Sequence, residues 1–418
     1  MRKYYLRVGF AFSILILAAA FQNCSRNLNG TGSQNISSIS GQGFVRQSGT
    51  QIVDENGNPI LLKGVNLGGW LIWDGVTWGA GLTSQDDLSD DLTKLLGADP
   101  FATFQTTFAN NFITASDISA IAASGFNTVR VPFSYLILEN DLTPYTYKDT
   151  GWAVLDALLS WAENSHVYVI LDLQGPVGGA NTTYSVDPAT PSLWDSPYNQ
   201  SRTASLWQAI ATRYSTNKMI AGYDLIDAPV PPSGSALISL YQQIIGTVRA
   251  VDRNHMIFLE GGNYAQDFSM FSAPLDNDMA YSFHMYEALA NRASDLAQYT
   301  ALSQAQGVPL WNGEFGETDN ATVNATIQLF ENPTANVSGW TFWTWKESGE
   351  ICPGVNKLAV LNQINMSTSW TAIATWMCDK TKPKPTAAQV QQGISDFEAA
   401  ILLNATVQNA QLYSTLSQ

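Results

Sequence analysis

Trp152-Ala-Val-Leu-Asp-Ala-Leu-Leu-Ser-Trp-Ala162 and, after a short connection, Val167-Tyr-Val-Ile-Leu-Asp-Leu173 together decide the fold. In the first stretch, Trp152, Leu155, Leu158, Leu159 and Ala162 recur at the spacing of one helix face. The second is apolar nearly throughout, as a strand covered on both faces must be. The same alternation continues in both directions. Strands are expected at Leu61–Leu67, Thr128–Phe133, Val167–Leu173, Ala221–Asp227, Met256–Glu260, Met279–His284, Pro309–Glu314 and Gly339–Trp343, with further amphipathic helices at Ser205–Tyr214 and Leu237–Val251. Eight such units predict an α/β fold, a (β/α)₈ TIM barrel, with an open doubly wound sheet as the second choice. Ahead of them, Gln51–Ile60 places apolar residues around Asn56-Gly57 and predicts an N-terminal β-hairpin.

The chain has 418 residues and a formal net charge of −15. That charge repels nucleic acid and anionic membrane surfaces and leaves a neutral or cationic ligand. Thirteen Trp, 16 Tyr and 18 Phe fill a core and also supply flat rings of the kind that stack on sugars. Residues 1–23 read as a signal peptide: Arg2, Lys3 and Arg7 precede the apolar run Val8–Ala20, which is too short to span a bilayer. Cys24 then reads as a lipid anchor, the alternative being an ordinary secretory signal with an incidental cysteine. The expected location is the bacterial outer membrane, or otherwise the periplasm or exterior, with the lipid as the sole membrane contact. Residues 24–42, rich in Ser, Asn and Gly, read as a flexible tether. The barrel is expected over 43–385 and a C-terminal helix over 386–418. Cys352 and Cys378 remain as a disulfide pair or as two buried thiols. A monomer is the expected state.

In a TIM barrel the chemistry lies at the C-terminal strand ends. Those ends carry Asn66, Arg130, Asp172, Gln174, Asp227, Glu260, His284, Tyr286 and Glu314. His166 and His255 precede their strands and read as structural, whereas His284 ends one and belongs to the site. A single site histidine and no cysteine cluster argue for no metal, and no cofactor is called for. Glu314 is the leading candidate for chemistry. Arg130 is its expected partner and would keep it ionised, as a nucleophile requires; the alternative is a structural Arg–Glu bridge.

The ordered set Gly64-Val-Asn-Leu-Gly-Gly-Trp-Leu71, Gly125-Phe-Asn-Thr-Val-Arg-Val-Pro-Phe133, Ile170-Leu-Asp-Leu-Gln-Gly-Pro176, Phe283-His-Met-Tyr286, Gly313-Glu-Phe-Gly316 and Gly339-Trp-Thr-Phe-Trp-Thr-Trp-Lys346 resembles the strand motifs of glycoside hydrolase family 5. The first and last look most like the exo-β-1,3-glucanase branch. The resemblance implies hydrolysis of β-glucan with retention by two glutamates about 5–5.5 Å apart. It places the nucleophile at Glu314, Arg130 beside it, sugar contacts at Gln174, His284, Tyr286 and Asn66, and an aromatic floor at Trp343, with Trp345 as the lesser choice.

The match breaks on the fourth strand. Where the family reads Asn-Glu-Pro, this chain reads Asp227-Ala228-Pro229. Ala228 replaces the acid/base and Asp227 the sugar-holding Asn, while Gln174 stands where the family usually has His. A methyl group can neither give nor take a proton. Three readings follow: a weakly active or non-catalytic β-glucan or oligosaccharide binder, an active β-glucanase with Asp227 as relocated proton donor (Glu260, Glu287 and Glu317 being lesser choices), and a surface scaffold for protein interactions.

Overall fold

The computed structural model describes residues 43–417 apart from 82, 182–190, 350 and 353–357. The expected signal peptide, the expected tether and Cys24 lie outside the described residues. Eight parallel strands close into a barrel: β1 Leu62–Asn66, β2 Thr128–Ser134, β3 Tyr168–Gly175, β4 Ile220–Asp224, β5 Met256–Glu260, β6 Met279–His284, β7 Leu310–Phe315 and β8 Val337–Phe342. Each pairs with the next, and β8 returns to β1 through Gly339↔Leu62 and Phe342↔Val65.

Side chains alternate along each strand. In β3, Val169, Leu171 and Leu173 face outward into the large core beneath the helices, while Tyr168 and Ile170 join an inner cluster with Met256, Phe258, Ala280 and Trp311. The inner positions nearer the strand ends switch from apolar to polar: Asp172 follows Ile170, Glu260 follows Phe258, and Ser282 and His284 follow Ala280. The barrel is therefore oily at one end and charged at the other.

The N-terminal hairpin plugs the oily end, with Val45 and Ile52 buried in the inner cluster. Its strands are Arg46–Ser48 and Gln51–Val53, which turn at Gly49-Thr50 with Gly49 at φ 59°. The expected Asn56-Gly57 turn exists but closes only the single bridge Val53↔Pro59. The sequence put the hairpin one turn too late, because Gly-Thr lacks the Asn-Gly signature.

Three helices are inserted between β1 and β2: α1 Gln85–Leu96, α2 Ala98–Asn111 and α3 Ala115–Ala123. The outer ring continues with α4 Asp149–Ser165, α5 Pro197–Tyr214, α6 Gly234–Arg249, α7 Leu289–Gln306 and α8 Asn320–Phe330. In α6, Leu237, Leu240, Tyr241, Ile244, Ile245 and Val248 recur at helical spacing and are all buried. Each contributes roughly 1.5–3 kcal/mol of gross burial. Ser233 caps the helix by accepting from the Ala236 amide at 3.2 Å.

Beyond β8, α9 Thr368–Cys378 and α10 Ala387–Ala400 pack on the insertion. Trp370 stacks on Phe397 with centroids 3.8 Å apart, and Trp78, Phe104 and Phe108 surround them. Seven tryptophans (70, 78, 207, 311, 340, 345 and 370) are fully buried, so the tryptophan richness serves chiefly the core. Cys352 and Cys378 form a disulfide with Cα atoms 6.4 Å apart.

The segment after 386 is not one helix. After α10 the chain makes a short strand, Val407–Gln408, antiparallel to Asn362–Gln363, and then the helix Ala410–Leu416. Asn409 explains the restart: its side chain accepts from the Leu412 amide at 3.1 Å and caps the new helix. No helix among the described residues is long and apolar enough to cross a membrane.

Candidate active site

Arg130 stands inside the charged end of the barrel, fully buried. Its Nε donates to Asp224 at 3.1 Å, and its Nη1 donates to Glu314 at 2.9 Å and to the Asn66 side chain at 3.3 Å. Its Nη2 donates to Asp227 at 2.8 Å and to Glu260 at 2.9 Å, with an Asp172 oxygen 3.1 Å away. One cation thus holds five carboxyl groups from β3, β4, β5, β7 and the segment after β4. Gly313 makes the approach possible: a Cβ there would lie 2.6 Å from Ser282 Oγ and 3.5 Å from Arg130 Nε.

One guanidinium cannot neutralise five carboxylates in a low dielectric. Burial is the largest influence on each acid whose proton affinity moves. It pushes Asp172 and Glu260 well above the usual carboxylate range, with repulsion from neighbouring acids adding to it. Asp224 rises for the same reason. Glu314 is also raised by burial, with Asp227 adding to the rise, while His284, Arg130 and the Tyr286 hydrogen bond pull it back. Burial opposes the charge on Arg130, but the surrounding acids outweigh it and hold the guanidinium firmly protonated. Arg130 is thus the partner expected for Glu314, but it divides its charge over the whole cluster, so the Glu314 carboxyl lies above and not below its usual range.

Above the cluster the cleft opens. Tyr286, 40% exposed, donates from its hydroxyl to Glu314 Oε2 at 3.0 Å. His284 lies between Glu260, 2.9 Å from Nε2, and Glu314, 3.7 Å from Nδ1. Trp343 is partly exposed just past β8, and Gly68 leaves room for its ring: a Cβ on Gly68 would lie 2.6 Å from Trp343 Cη2. Gln174 is partly exposed in β3. Glu314, Tyr286, His284, Gln174 and Trp343 are thus brought to one end of the barrel.

Other expected contacts move. Asn66 is fully buried and spends its amide on Gly313 O at 3.0 Å, so it orients Arg130 and does not meet a ligand. Arg130 is likewise too deep to touch a sugar. Trp345 is fully buried and donates to Asp117 at 2.9 Å, which leaves Trp343 as the exposed ring. Glu317 pairs with Arg292, and burial raises Glu287 near α7 residues Arg292 and Asp295. His166 ends α4 in a left-handed turn, and His255 is bonded to Asp252 at 2.6 Å, both away from the site. Asp224 was missed because strand four ends there and not at Asp227. The period-two walk Ile220, Gly222, Asp224 would have found it.

Ala228 follows β4 with its backbone clamped on both sides. Its amide donates to Glu260 Oε2 at 2.5 Å and its carbonyl accepts from Asn181 at 3.1 Å. These bonds hold it at φ 42°, a region a residue with a Cβ seldom adopts. It is 8% exposed. The carboxyls nearest it, Asp227 and Glu260, are buried and bound to Arg130. Asp227, Glu260 and His284 bring ligand atoms within 4.8 Å of one another, the geometry of a small cation site. The Arg130 Nη2 already lies against two of those oxygens and takes a cation's place.

A closed barrel thus gathers its acids and its exposed rings at the C-terminal strand ends. Residues 94–349 match the model of the cellulase family, glycosyl hydrolase family 5, and the chain belongs to that family. It is 31% identical over 294 residues to a beta-xylosidase of Phanerodontia chrysosporium, covering 65% of this chain and 61% of that protein. The chain thus spans about six-tenths of that relative's length. It is 25% identical over 358 residues to a probable glucan 1,3-beta-glucosidase A of Neosartorya fischeri, covering 71% and 84%. Endoglucanase C of Acetivibrio thermocellus is 27% identical over 225 residues, covering 53% and 57%. Among solved structures, an endogalactoceramidase superposes with a TM-score of 0.58 at 16% identity over 84% of each chain, a likeness of fold.

Proposed function

We propose that this protein is an exported β-glucan binder of family 5 that cleaves its glycan weakly or not at all. One observation carries the reading. At the end of β4 the chain offers a methyl group, and the neighbouring carboxyls Asp227 and Glu260 are buried on Arg130. Tyr286, Gln174 and Trp343 are the exposed groups left to contact a sugar, with His284 and Glu314 at the floor beneath them and Glu314 as the residual nucleophile. Relatives named for glucan 1,3-beta-glucosidase and endoglucanase activity support β-1,3- or β-1,4-glucan as the ligand. The beta-xylosidase relative makes xylo-oligosaccharides the proper control. The Arg/Lys-led apolar run before Cys24 supports export and lipidation, and the Cys352–Cys378 disulfide fits an oxidising compartment.

The test pairs calorimetry on laminari-, cello- and xylo-oligosaccharides with hydrolysis of laminarin and a soluble cellulose derivative. Binding of a gluco-oligosaccharide is expected, with polysaccharide turnover about 10²–10⁴-fold below that of an intact acid/base. Brisk polysaccharide cleavage that vanishes in Asp227→Asn would instead establish a relocated proton donor.

A further inference from the structure

Away from the cleft, the loop after β2 carries Tyr145 at φ 64°, a left-handed conformation that a tyrosine adopts only under constraint. The constraint is visible: the Tyr145 amide donates to the buried Glu139 carboxylate at 2.6 Å, and Arg202 donates to the same oxygen at 3.1 Å. The strain does not bury the ring. Tyr145 is 46% exposed, and it meets edge-on the ring of Tyr198, 52% exposed, with centroids 6.2 Å apart. Arg202 supports the pair from below, 5.8 Å from the Tyr198 ring.

From Tyr145 a trough of about 600 Å³ leads between the start of α4 and the outer face of α5, lined by Tyr147, Trp152, Ser205, Gln208 and Arg213. Arg213, its one cation, is committed to Asp156 through two contacts of 3.1 and 2.5 Å and lies over Trp152. Ser205 and Gln208 present a hydroxyl and an amide with no side-chain partner among the described residues. The trough therefore offers rings and neutral hydrogen-bonding groups with its charge cancelled. That surface suits a neutral polyhydroxylated chain and offers nothing to a phosphate backbone or an anionic membrane.

We propose that the Tyr145–Tyr198 platform and the adjoining trough form a second glycan-binding site, which holds a stretch of the same neutral polysaccharide whose other part enters the cleft. Tyr145 lies in a loop that follows a barrel strand, on the side where Glu314 opens. The proposal rests on the glycan-binding reading above, and it explains why strain is spent on keeping an aromatic ring in water.

The test measures retention of the full-length protein in gels containing laminarin or hydroxyethylcellulose, beside calorimetry with laminaritriose and cellotriose. Tyr145→Ala/Tyr198→Ala is expected to weaken polymer retention at least tenfold and leave trisaccharide affinity unchanged, whereas Trp343→Ala should do the reverse to the trisaccharide. Tyr145→Gly relieves the strained backbone. It should melt at or above the wild-type temperature and still lose polymer retention, which a merely structural tyrosine would not do. Wild-type retention in the Tyr145/Tyr198 variant, or none in the wild type itself, would overturn the proposal. Trisaccharide affinity unmoved by Trp343→Ala would instead count against the cleft.

Discussion

At the smallest scale the proposed weak activity turns on Ala228. Its backbone is held by Glu260 and Asn181 whatever its side chain, so a longer side chain at 228 inherits the same anchorage. Ala228→Glu is therefore expected to raise hydrolysis of soluble β-glucan by about 10²–10⁴-fold, the usual worth of a general acid/base; rates within a few-fold of wild type would contradict this. Arg130 is the second decisive residue. Arg130→Met leaves several buried carboxyls uncompensated and is expected to cost about 3–5 kcal/mol in urea unfolding, and a loss below about 1 kcal/mol would show that the acids simply take up protons. The strand-end rule located Asp172, Glu260, His284 and Glu314 from sequence, because alternation along a buried strand is a local property. It could not show that the three acids converge on one guanidinium, with His284 set against two of them. Their sequence separations are large, and the meeting point exists only once the barrel closes.

At the level of elements, the helices were legible where one face is apolar, as in α4 and α6, and the turns were less so. The hairpin at Gly49-Thr50 carries no strong turn signature, and the break at Asn409 is visible only through its capping bond. Capping also gives a clean stability prediction. Ser233→Ala removes the acceptor for the Ala236 amide and is expected to cost about 1 kcal/mol without changing ligand affinity, as read from thermal melts and calorimetry. The loops after β1 and β8 meet where Trp343 lies over Gly68. Gly68→Ala should displace the ring and weaken oligosaccharide binding; unchanged affinity would remove Trp343 from the site.

Taken whole, the molecule raises the proton affinity of its barrel carboxyls. Asp172, Asp224, Glu260 and Glu314 all have raised proton affinity in the folded state, with burial the leading cause. An unfolded carboxyl loses its proton at about pH 4, and each of these groups loses it at a higher pH in the folded protein. The folded state then binds more protons than the unfolded one, and their contribution to stability falls as pH rises through the folded values. Thermal melting is expected to be higher near pH 5 than near pH 8, and Asp172→Asn, which keeps the shape without the charge, should flatten that slope. An unchanged slope would mean that Asp172 does not contribute to the pH dependence of stability. The barrel itself was readable from alternating strands and helices, and membership of family 5 from the ordered motifs. That Ala228 stands where the family motif has a glutamate was readable at one position, but whether another group serves in its stead depends on which carboxyls the fold leaves exposed. The most direct measurement is hydrolysis of an activated aryl β-glucoside with and without azide, beside laminarin. The expected result is aryl-glucoside cleavage that rises with azide, disappears in Glu314→Gln and has no counterpart on laminarin. Rapid laminarin cleavage indifferent to azide would contradict it and show that a proton donor is in place.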